Sequence, residues 1–454
     1  MKASRAVLLV ALALLALAAL RDLARLGDAL PWRQLYDVAD FYCAGAAVDA
    51  GADPYRYEPL HRCEHAVNRA DSYVADPNRV VPAPLPPYDF PPLVLLARTN
   101  FETARALAVA AIVAAFAASV LALALIDVPV DLAALAVFFP AGYVLLNAGQ
   151  VVPFALVALL YCGVALARGR DALAGALAAL TLIEPHLGLP VCAALVVWAR
   201  QSRLALLGTA LALAIAGVLT VGIPVVGEYV TRVLPAQAAA EAGYAYQYSL
   251  TYVLRSAGAQ PAIALAAGQL SYAAALVLGV WLGRRAARRL QRPELLAYLP
   301  AACSIIGGPY VHMVDLGFAV PAALVLATSL RGRAKSIATV ALCLLAVPWI
   351  LVWISKRLFL ATLAVVAGIL LRLRTGAATA VATFACIAVA IYLFELAPPA
   401  PLVSATAAVP ASALAQQGWA DYVAHLGAAS GTWFSIKVPT WIALAGIVLA
   451  ALAA

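Results

Sequence analysis

Runs of apolar residues long enough to cross a bilayer, set one after another along most of the chain, constrain this sequence more than any motif in it. They fall at about 104–126, 131–147, 152–168, 172–183, 186–199 and 204–226, and again near 261–282, 295–311, 316–330, 336–354, 358–371, 376–394 and 436–454. Alanine, leucine and valine fill these runs continuously, whereas a membrane-spanning strand alternates apolar and polar residues, so a barrel is excluded. A chain that is 65% hydrophobic and 11% charged has too little polar surface for a soluble globule. The expected architecture is an all-α polytopic membrane protein, a bundle of about 12–14 transmembrane helices.

An earlier run, 6–20, follows Lys2 and Arg5. At about 15 residues it is short for a span and has the length of a signal-peptide core. Arg21 and Arg25 can snorkel and no small-residue cleavage site follows, so it is read as a retained first helix. Runs 172–183 and 186–199 are also short, against a hydrocarbon core of about 30 Å crossed at about 1.5 Å per residue. They read as broken helices meeting at Glu184, Pro185 and His186, and irregular backbone at membrane depth marks a cavity or a protein-packed site.

Basic residues set the orientation. Arg168 and Arg170, Arg200 and Arg203, the cluster from Arg284 to Arg292, Arg331 to Lys335, and Arg372 with Arg374 occupy short loops that share one side if the segments alternate. That side is expected to be cytoplasmic and to hold both termini. The net charge of +8 is then an orientation signal, and no nucleic-acid partner is expected. The short basic loops leave no space for a nucleotide-binding domain, and no phosphate-binding glycine loop occurs.

The polar groups gather on the opposite face. The stretch from Tyr36 to Pro92, Gly149-Gln150, Glu184-Pro185-His186, the segment 227–258 and Gly307 to Asp315 all fall at outer ends of apolar runs. Convergence of separate loops on one face is how a helical scaffold assembles an active site. Chemistry there needs a substrate that arrives through the membrane, which points to a lipid-linked donor. Cys43 and Cys63 share this outer segment, where an oxidising compartment permits a disulfide that would stabilise it by about 3 kcal/mol. Cys162, Cys192, Cys303, Cys343 and Cys386 lie in apolar runs and read as small buried side chains. No histidine or cysteine cluster has zinc spacing, His61 and His65 read as solvated loop histidines, and neither a metal nor another cofactor is expected.

Six stretches carry a resemblance: DFYCAGAAVDAGADPY at Asp40–Tyr55, YDFPP at Tyr88–Pro92, NAGQ at Asn147–Gln150, EPHLGLP at Glu184–Pro190, QYSL at Gln247–Leu250 and GGPYVHMVDL at Gly307–Leu316. In this order they resemble the family-87 glycosyltransferases, polytopic enzymes of the GT-C fold that use polyprenyl-phosphate sugars. The resemblance covers about residues 40–330. It implies a catalytic module at 1–335, including a first extracytoplasmic loop 27–92, followed by C-terminal helices at 336–454 with an outer loop 396–433. It further implies an inverting transfer of a sugar, mannose in the best-known members, from a polyprenyl phosphate to a hydroxyl of a lipid-linked or glycan acceptor. Membrane lipid is the other expected partner, and the location implied is a bacterial inner membrane with the site facing the periplasm.

The residues can be held against the needs of that reaction. An attacking hydroxyl loses its proton as the bond forms, so a carboxylate within hydrogen-bond reach acts as base. Asp40 matches the family's aspartate and is the expected base. Asp37, three residues earlier, would share a helical face with it, which leaves open which of the two acts. The resemblance places Asp37, Tyr42, Tyr88, Gln150, His186, Gln247, Ser249, Tyr310, His312 and Asp315 in the substrate site. Plainer roles stand beside these. Asp40 could cap a helix beginning near Phe41, His312 and Asp315 could pair at a helix end, Gln150 could satisfy a membrane turn, and the Gln247–Ser249 segment could belong to an interfacial aromatic belt.

The departing phosphate needs cations or donors. Where the family often has lysine this chain has Glu184, so that role is expected to fall to His186, His312, Arg255 or another cation. Two rivals fit less well. A transporter carries ionisable residues along a mid-membrane path. A polysaccharide polymerase or ligase with a pyrophosphate-linked donor would show arginines in a late outer loop, and 396–433 has none.

Overall fold

The computed structural model describes residues 35–67, 76–137, 148–350, 356–396, 406–425 and 433–454. The expected first helix at 6–20, Asn147 and parts of the 396–433 segment lie outside the described residues. Helices make up nearly all of the rest, and no β-strand forms among the described residues, only two isolated bridges.

The polar segment from Tyr36 to Pro92 is largely helical among its described residues. It folds into α1 (Tyr36–Asp49), α2 (Tyr57–Val67) and α3 (Phe90–Ala97), with a turn between α1 and α2 at Asp53, whose side chain accepts from Tyr55 N. Helix α1 starts at Tyr36 and not near Phe41, with Asp37 in its first turn, where a carboxylate favours the positive end of the helix. Asp40 is therefore an interior residue of α1 and not its cap. Cys43 and Cys63 form a disulfide that joins α1 to α2. Gly45 lets α1 lie directly on α3, since a Cβ there would run into the Leu93 carbonyl.

The apolar runs follow as α4 (Phe101–Ala124), α5 (Val130–Ala136), α6 (Val152–Ala167), α7 (Asp171–Leu180), α8 (Pro185–Trp198) and α9 (Arg203–Glu228), which continues through a π-helical turn into α10 (Leu234–Glu241). Then come α11 (Leu250–Ser256), α12 (Pro261–Leu290), α13 (Leu295–Ser304), α14 (Val320–Ser329), α15 (Gly332–Leu345), α16 (Lys356–Arg372), α17 (Ala377–Leu396), α18 (Ala415–His425) and α19 (Val438–Ala453). Five segments among them are long and apolar enough to cross a membrane: Phe101–Ala124, Arg200–Glu241, Pro261–Leu290, Ala377–Leu396 and Ser435–Ala453. This is the composition of an α-helical membrane protein.

The remaining apolar helices are shorter and lie deeper. Helices α6, α8, α13 and α14 form the core with residues such as Leu159, Leu195, Tyr298 and Leu324, while Leu204, Leu211, Leu219 and Ile223 on α9 are outward and exposed. An exposed apolar stripe of that length suits hydrocarbon and not water. The break expected at Glu184–His186 is present: α7 ends in a short 3₁₀ turn, Thr181–Ile183, and α8 begins at Pro185. The 396–433 segment is not simply a loop, because it contains α18, which packs on α10 and α2.

Candidate functional site

A cavity of about 770 Å³ lies where α1, the α7–α8 break, α10, the residues before α14 and α18 meet. That volume is in the range of sites for small organic ligands. Asp37, Asp40, Gln150, Glu184, His186, Tyr310, His312 and Asp315 all line it, although they come from four separate stretches of sequence.

The α1 wall carries the two aspartates one turn apart. Asp40 is 1% exposed. Asp37 accepts a hydrogen bond from Gln150 Nε2. Gly149, with φ of 80° and its Cα packed against Val38, supplies the tight turn that delivers Gln150, a conformation in which a side chain would be strained. Burial pushes the Asp37 carboxyl up to about 6, and the hydrogen bond from Gln150 and the charges of His312 and Arg79 hold it from going higher. Gln150 thus serves the carboxylate and not only a membrane turn.

The opposite wall is a hydrogen-bonded network. Residues 246–248 pair with 311–313: Tyr248 N donates to Val311 O over 2.7 Å and Met313 N to Tyr246 O over 3.1 Å. Gln247 Oε1 accepts from Val311 N over 2.8 Å, and Gln247 Nε2 donates to Glu241 over 3.1 Å. This pairing fixes His312, whose Nε2 lies 3.2 Å from Glu241 Oε2. Asp315 Oδ2 accepts from His312 N over 2.6 Å and lies 3.1 Å from His186 Nε2. Burial disfavours protonation of His312, but the Glu241 and Asp315 carboxylates outweigh it and raise its pKa above the ordinary value.

Five expected site residues are elsewhere. Tyr42 donates to Thr99 O and meets the edge of Phe101, and Tyr88 donates to Leu182 O, so both tie helices together outside the cavity lining. Ser249 caps α11 by accepting from Tyr252 N, and Gln247 supports the wall from behind. Arg255 donates to Ala259 O and does not reach the cavity. These side chains satisfy backbone groups that would otherwise be buried without a partner.

Two charged lining residues, Arg79 and Glu241, escaped the sequence reading, whereas Trp419 and Tyr422, aromatic residues of the 396–433 segment that the sequence places at the interface or over an acceptor groove, do line the cavity. Arg79 is the only arginine that lines the cavity among the described residues, and its guanidinium lies 4.7 Å from the centroid of the Tyr422 ring. The same stretch also holds Arg56, Arg62 and Arg69, so nothing in the sequence set Arg79 apart. Glu241, 3% exposed, accepts from Trp419 Nε1 as well as from Gln237 and Gln247. Trp433 meets Tyr246 edge-on and does not line the cavity. A lysine in an apolar run, Lys437, is fully buried behind the wall, donating to Gln247 O over 2.6 Å and lying 3.2 Å from the Tyr252 ring centroid.

Comparison of the chain with protein-family models, with curated proteins and with solved structures gave no match.

Proposed function

We propose that the protein is a membrane glycosyltransferase of the GT-C type. It transfers a sugar, mannose in the first instance, from a polyprenyl-phosphate donor to a hydroxyl of a lipid-linked or glycan acceptor, with inversion and with Asp40 as general base. The reaction runs on the extracytoplasmic face of a bacterial inner membrane. The observation that carries this reading is the composition of one cavity. It combines a buried aspartate pair on α1, cationic side chains at Arg79, His186 and His312, and a mouth lined by the exposed apolar residues Leu189, Val230 and Leu234.

Each part answers one need of the transfer. Asp40 takes the proton of the attacking hydroxyl, and Asp37, one turn away, keeps the local charge negative as that proton moves. Arg79 and the two histidines meet the charge that develops on the departing phosphate. The apolar mouth accepts the first isoprene units of a donor that stays anchored in lipid. Arg79 takes over the cationic role for which Arg255 stands too far away.

The test is to incubate the purified protein with polyprenyl-phosphate mannose and candidate acceptors and to follow free polyprenyl phosphate. Release by wild type and not by Asp40→Asn supports the reading, and equal release by both removes Asp40 as the base.

A further inference from the structure

His186 also belongs to a second constellation in the cavity. Glu184 from the α7–α8 break, His186 from the first turn of α8 and Asp315 from the turn before α14 each present one donor atom, and the three lie within 4.8 Å of one another. That spread matches ligands around one cation, whose bonds of about 2.0–2.4 Å keep opposite donors less than about 5 Å apart. The side chains of Glu184 and His186 are 14% and 25% exposed, towards the cavity, so a cation held there would keep open positions.

The charge around this place is sparsely compensated. Asp89, 9% exposed and behind the cavity lining, has an Oδ2 that accepts no hydrogen bond among the described residues, and burial with Glu184 nearby favours its protonated form. No lysine or arginine forms an ion pair with Asp89, Glu184 or Asp315 among the described residues. Over the cavity as a whole, Asp37, Asp40, Glu184, Glu241 and Asp315 outnumber Arg79, His186 and His312 even with both imidazoles protonated. A chamber so charged attracts a cation, which would offset the repulsion between its carboxylates and a donor phosphate.

We infer that Glu184, His186 and Asp315 bind one divalent cation that accepts mixed oxygen and nitrogen ligands, of the Mn²⁺ class. The cation takes one imidazole nitrogen and one oxygen from each carboxylate, in place of the direct contact between His186 and Asp315. The backbone N–H of His312 stays on Asp315 and orients it, as partners of metal-bound carboxylates do. On the proposed function the cation, and not a protonated His186, meets the departing phosphate beside Arg79 and His312. That contact with phosphate rests on the transfer reading, and the binding of the cation does not.

The experiment titrates chelator-treated full-length protein in detergent with MnCl₂ and follows free Mn²⁺ by electron paramagnetic resonance, without donor. One ion per chain is expected, with affinity at least about tenfold weaker in Glu184→Gln and Asp315→Asn. Asp37→Asn, a cavity carboxylate outside the triad, should change it less than about threefold. No saturable binding below about 1 mM overturns the inference, as does equal weakening in all three variants, which would mean diffuse attraction by the cavity. Should Asp315→Asn fail to purify as a monodisperse species, Glu184→Gln decides between the two outcomes, since the Glu184 side chain makes no hydrogen bond that the fold depends on among the described residues. A protein that binds Mn²⁺ but transfers no sugar keeps the site and discards the transfer reading. An active protein that binds none discards the site alone.

Discussion

The two walls of the cavity are held by different means. On one side α1 is a single short helix, fixed by the Cys43–Cys63 bond and by the backbone contact at Gly45, and it offers Asp37 and Asp40 from consecutive turns. On the other, Glu241, His312, Asp315 and His186 come from three distant segments and hold one another through shared hydrogen bonds. A wall of the first kind can lose a reactive group and keep its shape. A wall of the second kind has no member that is only chemical, because each group is also a support.

That contrast can be broken most directly at Asp40. Asp40→Asn should lower the transfer rate by about 10²–10⁴-fold, the usual worth of a general base, while leaving the thermal unfolding temperature near that of wild type. A loss of folding alongside activity would put α1 in the same class as the opposite wall. The next effect is covalent. Cys43→Ser with Cys63→Ser opens a link between residues 20 apart in sequence and should destabilise the outer segment by about 3 kcal/mol, read as earlier proteolysis at 50–67.

The walls should also differ in their response to pH. The Asp37 carboxyl, raised from 3.8 to about 6 chiefly by burial, holds its proton more tightly in the folded protein than in the unfolded chain. The fold is therefore most favoured by this group below about pH 4 and loses that contribution as pH rises to about 6, a change of roughly 3 kcal/mol at most. Asp37→Asn should flatten the unfolding profile across that window, and a profile of unchanged slope would remove Asp37 as its source. The smallest effect is expected at Glu241→Gln, which keeps the shape but cannot accept at both oxygens from Trp419, Gln237, Gln247 and His312. It should cost about 1–3 kcal/mol and return the His312 pKa, followed by imidazole NMR, towards its ordinary value.

The same division governs what the chain discloses in advance. Asp37 and Asp40 sit three apart on one short helix, so spacing alone put them on a common face. The interruption at Glu184 was visible because two apolar runs there are too short to span. Hydropathy marked the long helices, of which five among the described residues are long enough to cross by themselves, but it did not tell them from α6, α8, α13 and α14, which are shorter and buried against one another. Glu241 and its neighbours were hidden for a different reason. His312 is 71 residues and Trp419 is 178 residues from Glu241, and no local pattern encodes a pairing that only packing brings about. Tyr42 and Tyr88 erred in the opposite direction: polar side chains in a polar stretch looked free for substrate, yet their hydroxyls go to backbone carbonyls.

The segment Arg200–Glu241 is one rod with two duties. Its first part shows leucines to hydrocarbon, it bends at Gly222, where φ is 82°, and its last residue is the acceptor on which the far wall hangs. A span of that kind adjusts its tilt to the thickness of the bilayer around it. Lipid chain length is therefore a mechanical input to the cavity, and protein reconstituted in short-chain and long-chain phospholipids should hold its two walls at different separations.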